Sequence, residues 1–66
     1  MKHSVITLDK QGKPISVNHH RTAESAYAEY INNIRVIKNH IQKGDEFIIM
    51  RLNGGNIMTS EKLVAN

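Results

Sequence analysis

The stretch TAESAYAEYINNIRVIKNHIQKG, residues 22–44, decides the architecture. Ala23, Tyr27, Tyr30, Ile31, Ile34, Ile37 and Ile41 recur at spacings of three and four, the period of one face of an α-helix. The spacing predicts a helix from Thr22 to about Gln42. Thr22 suits the N-cap, because its hydroxyl can accept an amide N–H that the first turn leaves unpaired. Glu24 and Glu29 come early, and Arg35, Lys38 and Lys43 come late, which matches the helix dipole. The opposite face carries Glu29, Asn32, Asn33, Val36, Asn39 and His40. Gly44 fits the residue just past the helix, where left-handed backbone is common.

On either side of this helix the period changes to that of strands. Ser4 to Val17, SVITLDKQGKPISV, reads as a β-hairpin around Lys10-Gln11-Gly12, with Gly12 in the left-handed position of a three-residue loop. That register pairs Asp9 with Lys13, Thr7 with Ile15, Val5 with Val17 and His3 with His19; a four-residue loop shifts it by one. Asp45 to Val64 reads as a second hairpin, turning at Asn53-Gly54 or Gly54-Gly55. The segment from Ser60 either extends its last strand or trails off.

The order is ββαββ in one domain spanning residues 1–66. Neither hairpin buries its apolar face alone, so the expected fold is α+β: one long helix packed on a mostly antiparallel four-stranded sheet. The element order resembles that of the β-grasp fold. The resemblance implies, without a shared motif, a parallel pairing of the first and last strands.

A sheet with one helix on one side should alternate apolar and polar residues. These strands do not. Val5, Ile15 and Val17 share one face in the preferred register, and Ile6 and Leu8 hold the other. Ile48, Met50, Leu52 and Ile57 oppose Phe47, Ile49, Arg51 and Met58. One helix covers one face only, and contiguous exposed apolar patches mark interaction sites. The expected partner interface is the helix-free face around Ile6, Leu8, Phe47, Ile49 and Met58, used by a second copy or by another protein.

With 66 residues, 39% hydrophobic and 23% charged, the chain has room for one small core and no sign of disorder. It has no cysteine, so neither disulfides nor a Cys-based zinc site are expected to hold it together. The start, MKHSVITLD, has no signal-peptide apolar run, and no stretch has the length of a membrane span, so a cytoplasmic setting without membrane contact is expected. Net charge is +3. The first 33 residues carry four basic and three acidic groups and the rest five and three, so no tail concentrates the charge.

Candidate chemistry is sparse. His3 and His19 lie side by side in the preferred register, but two ligands are too few for a tight zinc site. Ser4, Ser16, Thr22 and Ser25 have no nucleophile motif around them, and Asp45 and Glu46 face opposite ways on a strand. NGG is a turn and not a phosphate loop. No cofactor, small-molecule substrate or enzymatic activity is expected.

Nucleic acid is the rival partner. Arg21, Arg35, Lys38 and Arg51 are the cations for phosphate contact, although two Tyr, one Phe and no Trp make a poor stacking platform. The expected function is a non-enzymatic interaction protein that docks on a larger protein or on itself. The Ile-, Asn- and Lys-rich composition resembles that of small accessory proteins of phages and mobile elements, many of which inhibit host defence or nucleic-acid-handling complexes. A small basic nucleic-acid-binding regulator is the alternative.

Overall fold

A computed structural model describes residues 2–65. The chain runs β1 (His3–Leu8), β2 (Pro14–His20), α1 (Ala23–His40), β3 (Glu46–Asn53), β4 (Asn56–Val64). The strands form one open sheet in the order β2-β1-β3-β4, with every neighbouring pair antiparallel. The expected ββαββ architecture is present. The parallel pairing of first and last strands is not: β1 lies between β2 and β3, and β4 is an edge. Among the described residues no helix is long and apolar enough to cross a membrane.

Thr22 caps α1, its Oγ1 accepting the Ser25 amide at 3.1 Å. The helix stops at His40, earlier than its apolar period suggests, because Ile41 turns to extended backbone. Gly44 therefore does not close the helix. It sits in a tight turn where the Asp45 amide donates to the Gln42 carbonyl at 2.9 Å, and its φ of +96° suits glycine.

The helix is also rolled relative to its expected stripe. Ala26, Tyr30 and Ile34 are buried, with Ile37 and Ile41 packed beside them, while Tyr27 and Ile31 lie exposed on one flank. Ala26 has no exposed surface; its small side chain lets the helix settle close to the sheet. Glu29 and Asn33, expected on the solvent side, turn partway toward β2. Beneath the helix lie Val5, Ile49 and Leu63, which complete the core.

In the first hairpin the loop forms as expected: the Asp9 amide donates to the Lys13 carbonyl at 2.9 Å, and Gly12 takes a φ of +82°. The register beyond it does not. Leu8 pairs with Pro14, but Thr7 pairs with Ser16, so Ile15 is left as a bulge. One extra residue turns every later side chain of β2 to the other face. Val17 therefore stands beside Ile6 and not beside Val5. His19 stands beside Ser4, and His3 faces His20. The second hairpin turns at Gly54-Gly55, both with positive φ, between paired Asn53 and Asn56. Its strand continues through Ser60 to Val64, with a second bulge at Met58.

Candidate functional site

The strand registers fix which residues share the helix-free face. Ile6 pairs with Val17 on one side and Met50 on the other, and Met50 pairs with Ser60. The row above runs Pro14, Leu8, Ile48, Lys62; the row below runs His19, Ser4, Leu52, Ile57. Directly paired residues point the same way, so Ile6, Leu8, Val17, Ile48, Met50 and Leu52 form one apolar patch. Lys62 and Glu46 make an ion pair at its rim, Nζ to Oε1 2.9 Å. His19 Nδ1 lies 2.8 Å from Ser4 Oγ at the opposite end.

This corrects the expected interface. Ile6 and Leu8 are on the free face, but Ile49 is fully buried under the helix, and Phe47, paired with Leu63, also faces the helix side. The error lay in joining the hairpins. With Ile6 beside Met50, the even-numbered residues of β3 share a face with Ile6 and Leu8, and the odd-numbered ones go to the core. Met58 is an exposed, unpaired bulge residue at the edge. Sequence reasoning missed Val17, Ile48, Met50 and Leu52, because no local pattern reports the β1–β3 register.

The helix side has a different character. Two shallow hollows of about 190 and 170 Å³ flank Val36 and Ile37, one closed by Thr7, Ile15 and Asn33, the other by His40, Ile41 and Phe47. Toward the start of α1 the sheet becomes polar. His3 Nδ1, Arg51 Nε, Asn53 Oδ1 and Thr59 Oγ1 are buried there without a hydrogen-bond partner. The Arg51 guanidinium carbon lies 5.5 Å from the Tyr27 ring centroid.

The four candidate cations do not come together as one surface. Arg21 is exposed at the β2–α1 junction. Arg35 and Lys38 are exposed on the helix, with Arg35 Nη2 donating to Asn32 Oδ1 at 2.7 Å. Arg51 belongs to the helix side of the sheet, partly covered by Tyr27. His3 and His19 are on opposite faces, and no three His, Cys, Asp or Glu among the described residues are grouped to hold a metal ion.

One polar network ties β2 to α1. His20 Nε2 lies 2.5 Å from Glu29 Oε1, while Asn18 Nδ2 and Asn33 Nδ2 donate to Glu29 Oε2 at 2.5 and 3.3 Å. Burial raises the Glu29 pKa, but the hydrogen bonds from His20, Asn18 and Asn33 and the nearby charge of His20 outweigh it. The net result is a carboxyl held below the usual glutamate range. No protein family, curated protein or solved structure matches the chain.

Proposed function

We propose that this chain is a non-enzymatic interaction protein that docks on a larger protein through the helix-free face of its sheet. The observation that carries this is the patch of Ile6, Leu8, Val17, Ile48, Met50 and Leu52, which lies on the sheet face opposite α1. Four strands about 4.8 Å apart and six residues of about 3.3 Å give the whole helix-free face, patch and rim together, roughly 400 Å² of plan area. That is about half of what each partner contributes to a stable interface. Two copies stacked flat stay at the weak end of that range. A larger protein that also grips the rim supplies the remainder.

The net charge of +3 suits an acidic target, such as a nucleic-acid-handling or defence complex. A chain this small acts on such a target by occupying its surface, as a regulator or inhibitor of phage or mobile-element type does. Scattered cations, one of them partly under Tyr27, favour nucleic acid less.

The test is affinity capture from source cells, with nuclease, using wild type, Met50→Lys and the pair Arg35→Glu and Lys38→Glu. The expected outcome is a nuclease-resistant, stoichiometric complex that Met50→Lys abolishes and the helix charge reversals leave intact. Capture that disappears with nuclease, or with the charge reversals alone, overturns the proposal in favour of nucleic acid. Light scattering on the purified chain separates out self-association, with a stable dimer lost in Met50→Lys replacing the larger partner by a second copy.

A further inference from the structure

The junction of β2 and α1 sets a hydroxyl, an imidazole and a carboxylate in a line. His20 Nδ1 lies 3.1 Å from Ser25 Oγ, and its Nε2 lies 2.5 Å from Glu29 Oε1. An ionised carboxylate only accepts, so it fixes the proton of neutral His20 on Nε2. Nδ1 is then an acceptor facing the Ser25 hydroxyl, closer to it than the Thr22 carbonyl at 3.3 Å, while Ser25 Oγ itself accepts from Thr22 Oγ1 at 3.0 Å. Both His20 distances fall within the reach of a nucleophile and its base, and of the base and its orienting group. The helix start supplies the rest. Ser25 is exposed, and the amides of Ala23 and Glu24 belong to a first turn whose N–H groups have no intrahelical acceptor.

We propose that Ser25 is an activated nucleophile, a site of covalent acylation by small esters with good leaving groups, with His20 as its base and Glu29 as the residue that positions His20. Ser25 Oγ attacks the ester carbonyl carbon while His20 Nδ1 takes the hydroxyl proton. The tetrahedral adduct collapses, the bond to the leaving alkoxide breaks, and His20 returns the proton to that alkoxide. One ester and one Ser25 hydroxyl give one alcohol and one Ser25 ester. The start of α1, where the Ala23 and Glu24 amides lie, is the positive end of the helix dipole and favours negative charge. The event is stoichiometric modification and stands apart from the docking face.

The molecule contains its own comparison. Ser4 Oγ is 2.8 Å from His19 Nδ1, closer than Ser25 is to His20. Among the described residues no carboxylate is bonded to His19, so nothing fixes its tautomer. Ser25 should therefore react and Ser4 should not, despite the shorter contact. The titratable and charged groups beside His20 are Glu29 from α1, His3 facing it from β1, and the adjacent Arg21.

The experiment treats the full chain with p-nitrophenyl acetate and, separately, a fluorophosphonate, and maps the adduct by peptide mass spectrometry. Ser25 should label about tenfold or more faster than Ser4, Ser16 and Ser60. Labelling should rise with pH, as it does for any reaction that needs a free base. Glu29→Gln and His20→Gln should slow it about tenfold or more and alter the pH profile. Circular dichroism confirms that each variant is folded, and labelling of Ser60 gives the baseline within each variant. Equal labelling of Ser25 and Ser60 in wild type, or a Glu29→Gln rate equal to wild type, overturns the proposal. A purely structural role for the Ser25 hydroxyl, bonding Thr22 at the helix start, predicts that outcome.

Discussion

Ile49 has no exposed surface, while Ile57, on the neighbouring strand, is 60% exposed. The same truncation should therefore have different effects at the two positions. Ile49→Ala removes buried methylenes between Val5, Leu63 and the helix and should cost about 2–5 kcal/mol, whereas Ile57→Ala should cost under about 1 kcal/mol. Urea unfolding followed by circular dichroism measures both. Glu29 acts through its charge. Its folded pKa is lowered, so at intermediate pH the native state binds fewer protons at Glu29 than the unfolded chain does. Its stabilisation is complete above the ordinary glutamate pKa and is lost as pH falls through the lowered value. Unfolding free energies of wild type should fall across that acid window, and those of Glu29→Gln should change less.

The elements differ in how far their own residues specify them. Thr22 both announces and caps α1, and Thr22→Ala should cost about 1 kcal/mol in thermal or chemical unfolding. Both hairpin loops were legible for the same reason: Gly12, Gly54 and Gly55 take positive φ where turns need it. The bulge at Ile15 was not legible, because Ser4 to Val17 offers two registers of similar apolar match. Packing chose the one that sets Asn18 and His20 against Glu29 and sends Val17 to the free face. The roll of α1 was hidden similarly. Tyr27 fits the apolar period as well as Ala26 does, but only Ala26 is small enough to sit directly on the sheet. The free face could be anticipated as apolar. Its membership could not, since it depends on pairing between strands separated by the whole helix.

For the molecule as a whole, neighbouring residues on one strand belong to different tasks. Met50→Lys should leave the isolated chain folded, with a melting temperature near that of wild type, because the side chain already borders water. Ile49→Lys should unfold it, by placing an unpaired charge in the core. A melting scan of the two variants checks this contrast, and a Met50→Lys variant that melts well below Ile49→Lys would mean that the sheet faces are reversed. The sheet order also carries a kinetic consequence. Hairpins β1–β2 and β3–β4 and the helix each close over short stretches of chain, but the β1–β3 ladder joins His3 to Asn53 and Leu8 to Ile48. The same end is tied once more where the Gly54 amide donates to the Lys2 carbonyl at 2.8 Å. That central seam is where the loop-closure entropy is concentrated. The chain is thus two halves of local contacts joined at one suture, and a break in the loop between α1 and β3 should leave two peptides able to find each other and re-form the sheet.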